Sequence, residues 1–152
     1  MTAADRDDAL RSLEHEVGVL IRRIRRVIGE RARAVHPDLQ PSSYLVLGYL
    51  RQHAPARASE LRTAFDMDKG AISRQVQHLL DHGLIERTPD PDDGRATLLT
   101  VSEEGLRRMA DVEQHRRKLL DERLGEWTAG ELADFAADLA RYNASLNQPQ
   151  PD

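Results

Sequence analysis

The chain has 152 residues, of which 39% are hydrophobic and 32% are charged; the length suits one globular domain with appended helices, and the composition excludes a disordered chain or a membrane protein. Its 22 Lys and Arg residues against 26 Asp and Glu residues give a net charge of −4, which argues against an indiscriminate polyanion binder and confines any nucleic-acid site to one region. Because the chain has no cysteine, disulfides, thiolate nucleophiles and thiolate-ligated zinc are excluded.

Two features of the sequence favour a cytoplasmic protein with no membrane partner. No uncharged apolar run approaches the roughly 20 residues that a membrane span needs. The acidic residues that lead up to Asp8 are unlike the basic leader of a signal peptide.

The first predicted element is a long helix over about residues 8–36. It should end at His36, because the residue before a proline avoids the α-helical region. The helix is compatible with a core position in its own chain, but we favour packing between two subunits, since no helical partner lies nearby in sequence. Its apolar residues recur at alternating spacings of three and four: Leu10, Leu13, Val17, Leu20, Ile24 and Val27.

Three shorter helices are predicted next, over residues 41–52, 58–65 and 68–82. The last two are separated by only two residues, which is the spacing of a helix-turn-helix. Asp68 suits the N-cap of the third helix, and Gly83 suits its C-terminal stop.

A β-hairpin and two further helices complete the chain. Strand-forming residues occupy 84–88 and 96–101, and the segment 89–94 between them has turn chemistry. Ser102 opens a long helix, and Thr128 begins a capping box for a final helix. The order of elements therefore predicts a mainly α fold with a small β-hairpin wing.

Three stretches, taken together, resemble the MarR family of bacterial transcription regulators. Residues 67–87 are similar to its recognition-helix signature, 90–95 to its wing, and 99–105 to the start of its next helix. The resemblance implies one MarR-like domain over residues 1–152. In that domain a winged helix-turn-helix lobe, about 41–101, is flanked by long N- and C-terminal dimerisation helices, about 8–36 and 102–147. It also implies a homodimer that presents two lobes to double-stranded DNA at a pseudo-palindromic operator.

Two positions depart from the family pattern. Arg57 stands where a Ser or Thr often caps the helix before the recognition helix. Gly70 and Ala71 stand where hydroxyl groups are common.

The face of the predicted recognition helix opposite its apolar residues is mostly polar, which suits DNA reading but is also found on any solvated helix. Arginine and glutamine match base edges in the major groove, and groups near the helix start match phosphates. Resemblance to the family further implies that Asp93 holds the guanidinium of Arg95 so that it enters the minor groove. The candidate DNA-binding residues are Ser59, Lys69, Gly70, Ser73, Arg74, Gln77, His78, Asp93 and Arg95.

The distribution of charge supports an alternative, a winged-helix module that contacts proteins without specific DNA binding. Residues 56–101 carry six basic and eight acidic side chains, a net charge of −2. The densest basic segment, residues 22–33, has a net charge of +5 and lies on the first helix, where a solvated face with ion pairs between subunits explains it.

No motif of catalysis or cofactor binding is present, so we expect neither an enzyme nor a cofactor. His78 and His82 have the spacing of metal ligands on one helix face, yet no cysteine is available and His78 belongs to the predicted DNA face. We therefore expect no metal site, while a metal-dependent sensor assembled from the scattered histidines remains a second alternative.

The family often binds small aromatic or lipophilic molecules in a cleft beside the winged lobe. The resemblance therefore implies a repressor that such an effector releases from DNA. Residues that could line the cleft are His36, Tyr44, Tyr49 and Met109, although apolar and aromatic residues at helical spacing are usually core packing.

Overall fold

The computed structural model describes residues 2–147, with six helices and one two-stranded sheet in that range. The described chain falls into two compact units that divide after Val112. The fold class predicted from the sequence is confirmed. The elements in chain order are α1 (Ala3–Val35), α2 (Pro41–His53), α3 (Ala58–Phe65), α4 (Lys69–Asp81), β1 (Ile85–Pro89), β2 (Thr97–Val101), α5 (Glu103–Arg123) and α6 (Ala129–Leu146).

Helix α1 begins about five residues earlier than the apolar pattern predicts. Its first turn is held by a capping box, in which the Thr2 side chain accepts from the Asp5 N–H and the Asp5 carboxylate accepts from the Thr2 N–H. The helix ends before His36, which has extended backbone angles. Polar capping therefore extends the helix to the N-terminal side of its recurring apolar residues.

The helix-turn-helix is formed by α3 and α4, as the sequence predicts. Asp66 ends α3 in the left-handed region with φ 48°. The Asp68 carboxylate then caps α4 by accepting from the Ala71 N–H at 2.7 Å. Gly83, with φ 67°, lets the chain leave α4 toward β1, since a side chain at that angle would be strained.

Strands β1 and β2 pair antiparallel, with Ile85 opposite Val101 and Pro89 opposite Thr97. Ala56 extends this hairpin, because its N–H and C=O both bond to Leu99, at 3.1 and 2.8 Å. The segment between α2 and α3 is thereby fixed to the wing.

The core of the first unit packs α2, α3, α4 and the hairpin together, with further side chains from the end of α1 and from α5. Its buried residues are mostly apolar. Its largest fully buried apolar side chains are Leu47, Leu50, Leu61, Ile72, Leu79, Leu84 and Leu99.

Large apolar side chains remain exposed in both units of the single chain. On α1 they include Leu10, Leu13, Leu20, Ile21 and Ile24. In the second unit they include Trp127, Leu132, Phe135, Leu139 and Leu146. Within residues 2–147, no helix has the length and apolarity needed to cross a membrane.

Candidate nucleic-acid interface

Helix α4 has one buried face and one exposed face, in the orientation predicted from its sequence. Ile72, Val76 and Leu79 are at most 4% exposed and fix the helix to the lobe. This packing directs the opposite face to solvent. The exposed residues there are Lys69, Gly70, Ser73, Arg74 and Gln77.

Arg74 lies at the centre of this exposed face. Among the described residues, no hydrogen-bond or ion-pair partner holds its guanidinium. The Arg74 side chain passes close to Gly70, where an added Cβ would lie 3.4 Å from Nη1. The guanidinium is therefore available for a fork of two hydrogen bonds to an external acceptor pair, such as O6 and N7 of guanine.

Gln77 is exposed but already engaged. Its Nε2 donates to the Asp81 carboxylate one turn later, at 2.7 Å. Pairing with adenine requires both the amide oxygen and the amide nitrogen. Because the amide nitrogen carries a second hydrogen, bidentate base reading by Gln77 is compatible with this intrahelical bond.

His78 does not lie on the exposed face, which corrects its predicted placement. Its side chain is half-buried, and its Nε2 lies 3.1 Å from the backbone oxygen of Asp38. Because a carbonyl oxygen only accepts, Nε2 must be the donor. The loop between α1 and α2 covers this end of α4, and helical periodicity alone could not reveal that cover.

Sequence reasoning missed a polar contact that sets the position of α4. The Ser43 hydroxyl is fully buried and donates to Gln75 Oε1 at 2.5 Å, which joins α2 to α4. The sequence does contain a signal for this contact, since Ser43 stands three residues before the buried Val46 and a buried hydroxyl needs a hydrogen-bond partner.

The structure also corrects the contact predicted in the wing between the Asp93 carboxylate and the Arg95 guanidinium. The Asp93 carboxylate accepts from the backbone N–H of Arg95 at 3.1 Å, and the Asp93 carbonyl accepts from the Ala96 N–H at 3.0 Å. In the described part of the chain, no ion pair joins Asp93 to the Arg95 guanidinium. The predicted carboxylate–guanidinium pair is therefore replaced by a turn that fixes the Arg95 backbone and leaves its charge exposed.

Asp90 carries the ion pair of the wing instead, and sequence reasoning did not single it out. Its carboxylate is buried, accepts from the Asp92 N–H at 2.9 Å, and contacts Arg57 Nε at 2.7 Å. The Asp92 N–H, together with Arg57, holds the pKa of Asp90 below its ordinary value, although burial acts in the opposite direction. Of the three carboxylates in the wing, which belong to Asp90, Asp92 and Asp93, that of Asp90 is thus paired within the lobe.

Ser59 is exposed in the first turn of α3, where its hydroxyl is accessible. Its carbonyl accepts from the Thr63 hydroxyl at 3.3 Å. The α3 N-terminus and the exposed start of α4 therefore present polar groups on the same lobe.

Comparison with known proteins identifies the family of this chain. Residues 38–96 match a family model described as the MarR family. The chain is 34% identical over 134 residues to the uncharacterized HTH-type transcriptional regulator YxaD of Bacillus subtilis, an alignment that covers 88% of this chain and 92% of that protein. The chain belongs to the MarR family.

Other MarR-like proteins extend the comparison. The HTH-type transcriptional repressor NicR of Pseudomonas putida is 26% identical over 132 residues, covering 86% of this chain and 84% of NicR. A mutant MarR from E. coli complexed with operator DNA has a TM-score of 0.61 at 25% identity, covering 84% of this chain and 93% of MarR. A crystal structure of MarR at 24% identity has a TM-score of 0.68 and covers 88% of this chain and 96% of that one.

These findings confirm the family, the fold and the general function predicted from the sequence. The protein is a DNA-binding transcriptional regulator with a winged helix-turn-helix. Its named relatives are transcriptional regulators.

Arg57, which departs from the MarR family pattern, has two roles in the structure. Its backbone N–H donates to the Glu60 carboxylate at 2.5 Å, which satisfies the N–H of the N-cap residue of α3. Its guanidinium reaches Asp90 in the wing. The arginine thus replaces a capping hydroxyl with a link between two elements.

The structure places the four residues of the predicted ligand cleft against different neighbours. Tyr49 stacks on His53 with ring centroids 4.1 Å apart, whereas the His36 ring lies 4.1 Å from that of His82. Met109 is 5% exposed and belongs to the core, and Tyr44 packs against that core while half-exposed. A cleft lined jointly by these residues remains a prediction.

Proposed function

We propose that the protein is a homodimeric repressor that reads a pseudo-palindromic operator with helix α4 and Arg95 of the wing. The observation that carries this proposal is the exposed, unengaged guanidinium of Arg74 at the centre of α4. Further support comes from the names of relatives, which include the repressor NicR and a MarR complexed with operator DNA. A regulator of chromosomal DNA acts in the cytoplasm.

The dimer is supported by the exposed apolar residues of the single chain. Leu13, Leu20 and Ile24 on α1, and Phe135 and Leu139 on α6, are between 38% and 54% exposed. Apolar surface in water costs roughly 25 cal/mol per Å², so a second chain that covered these stripes would stabilise both. Sedimentation at micromolar concentration should give twice the mass of the chain, and a monomer would contradict the proposal.

The DNA-binding residues are proposed to divide the work by position. Arg74 and Gln77 read base edges, while Lys69 and Ser73 contact phosphates. Gly70 allows close approach of the helix, and Ser59 adds a phosphate contact from α3. His78 retains only a supporting role, since its ring is bound to the loop carbonyl of Asp38.

Selection of bound fragments from genomic DNA with the purified protein tests this proposal. Two-fold symmetry predicts half-sites about 10 bp apart, centre to centre. Arg74→Ala should cost roughly 1–3 kcal/mol per half-site and relax preference at one base position. Arg117→Ala, which removes an exposed arginine of α5, is the charge control and should leave that preference intact.

A second candidate function is a winged-helix module that contacts proteins. It is favoured by the net charge of −2 over residues 56–101, because nonspecific DNA affinity depends on basic surface. Failure of the selection to enrich any sequence, with the dimer intact, would favour this function.

We further propose that a small aromatic or lipophilic effector releases the protein from DNA. Support comes from the resemblance to the family and from the half-exposed rings of Tyr44 and Tyr49. Benzoate and larger aromatic acids are suitable probes: a binder should raise the melting temperature and lower operator affinity. Release that persists unchanged in Tyr44→Ala and Tyr49→Ala would exclude these residues from the effector site.

A further inference from the structure

We propose that the C-terminal ends of α1 and α4 together form a binding site for a divalent transition metal ion. The ligands are His36, Asp38 and His82. The proposal goes beyond the proposed function, since reading an operator requires no metal. It also revises the expectation from the sequence that no metal site is present.

The three side chains already converge. One ring nitrogen of each histidine and one carboxylate oxygen of Asp38 all lie within 4.8 Å of one another. Ligand atoms around one zinc ion, at about 2.0–2.2 Å from the metal, are roughly 3.0–3.5 Å apart. Small side-chain rotations therefore suffice to bring the three donors onto one ion.

The backbone holds the ligands in place from two helices. His36 is the C-cap of α1, and its N–H donates to the Ala32 carbonyl at 3.0 Å. His82 is the C-cap of α4, and its N–H donates to the His78 carbonyl at 3.2 Å. These contacts fix the backbone of each histidine at the end of its helix, so that a shared ion would not have to order these two residues.

The position of Asp38 is set by α4 as well. His78 Nε2 donates to the Asp38 carbonyl at 3.1 Å, which ties the loop to the helix beside His82. Within residues 2–147, the Asp38 carboxylate has no ion-pair or hydrogen-bond partner. Its charge is thus available to a cation.

The donor set selects the class of metal. Two imidazoles with one carboxylate favour zinc and other late first-row divalent ions, whereas magnesium and calcium prefer oxygen donors alone. Three protein ligands leave room for water or a further donor. His36 Nδ1 accepts from the Asp38 N–H at 3.2 Å, and metal binding would displace that contact. Binding through Nδ1 would use the same lone pair, and binding through Nε2 would place the ring proton on Nδ1.

Titration calorimetry of the full-length, chelator-treated protein with zinc chloride tests the site without DNA. One zinc per chain should bind, and magnesium chloride should give no saturable heat. His36→Gln, His82→Gln and Asp38→Asn should each weaken zinc binding about tenfold or more. His15→Gln, which removes an exposed histidine of α1, is the matched control and should bind zinc like the parent protein.

A melting experiment separates loss of the site from loss of the fold. Zinc should raise the melting temperature of the parent protein and of His15→Gln, and should raise that of the three ligand variants much less at the same zinc concentration. Asp38 is exposed, so Asp38→Asn should keep the fold and provide the decisive variant. Absence of saturable zinc binding at micromolar concentration, or unchanged binding by folded Asp38→Asn and His82→Gln, would overturn the proposal and leave the DNA-binding function untouched.

Discussion

The guanidinium of Arg57 and the carboxylate of Asp90 are 33 residues apart in sequence and joined in space, with Nε 2.7 Å from Oδ2. Arg57 stands at the start of α3, and Asp90 directly follows β1. The pair therefore fastens the base of the wing to the helix-turn-helix. Because Asp90 is only 5% exposed, loss of its partner would leave a charge enclosed by the lobe.

Arg57→Ala should lower the melting temperature by several degrees, while Arg62→Ala, at an exposed position of the same helix, should change it little. Asp90→Asn should lower the melting temperature less in the Arg57→Ala background than in the parent protein, since the two residues share one interaction. Thermal melts of the four proteins measure this coupling. Strict additivity of the two substitutions would show that the pair contributes no coupling energy.

Acid should weaken the attachment of α5 to α1 through Glu104. Hydrogen bonds from Arg107 and then Arg108 lower the pKa of Glu104 to about 2, and Arg108 Nη1 also donates to the Val35 carbonyl at 3.0 Å. A carboxylate whose pKa is lowered in the folded state stabilises the fold at pH values above its ordinary pKa of 4.5. This contribution is lost as the pH falls from 4.5 toward 2. Glu104→Gln should therefore be less stable than the parent at pH 7, with the difference vanishing near pH 2.

Thermal melts between pH 2 and pH 7 measure this difference. Glu103→Gln is the matched control, because within the described residues Glu103 makes no side-chain hydrogen bond. A stability difference for Glu104→Gln that does not change with pH would contradict the assignment.

Gly105 permits the close approach of α5 to the hairpin. A Cβ added there would overlap the Leu84 carbonyl oxygen and lie 2.8 Å from Val101 Cγ1. Gly105→Ala should therefore destabilise the protein by about 1–3 kcal/mol in urea unfolding. Gly18→Ala on α1, where the nearest neighbour is the end of Arg22 at 3.6 Å, should instead stabilise by up to about 1 kcal/mol. Equal stability of the two variants would mean that α5 can shift away from Leu84.

Local signals in the sequence predicted the elements well, since they depend on neighbours along the chain. Asp68 and Gly83 mark the ends of α4 because capping and positive φ are properties of a few consecutive residues. Contacts across the fold were not predictable in the same way. The pairing of Arg57 with Asp90 and the cover over His78 both join segments more than 30 residues apart.

The wing shows how a correct motif can lead to a wrong contact. Resemblance placed Asp93 beside Arg95, and the structure does connect them, but through the Arg95 backbone N–H at 3.1 Å. An Asx turn of this kind is as compatible with the sequence as an ion pair, and spacing does not distinguish the two.

The geometry of the wing leads to predictions that separate the orientation of the Arg95 side chain from the charge of Asp93. Arg95→Ala should weaken binding to every DNA sequence by about tenfold, with the largest loss at A·T-rich flanks, where a narrow minor groove attracts arginine. The melting temperature and the dimer should be unchanged, since Arg95 is exposed and its side chain makes no hydrogen bond or ion pair within residues 2–147. Fluorescence anisotropy with labelled operator DNA and with A·T-poor variants measures the effect.

Substitutions at Asp93 then identify how Arg95 is positioned. Asp93→Asn keeps an oxygen that can accept from the Arg95 N–H and removes a negative charge near DNA, so its affinity should equal or exceed that of the parent. Asp93→Ala loses both the acceptor and the charge, and a loosened turn should make it bind DNA less tightly than Asp93→Asn. If both variants bound DNA equally and more tightly than the parent, the carboxylate would act only by repulsion. If both bound DNA equally and more weakly than the parent, the negative charge itself would matter, and an ion pair with the Arg95 guanidinium would have to form on DNA.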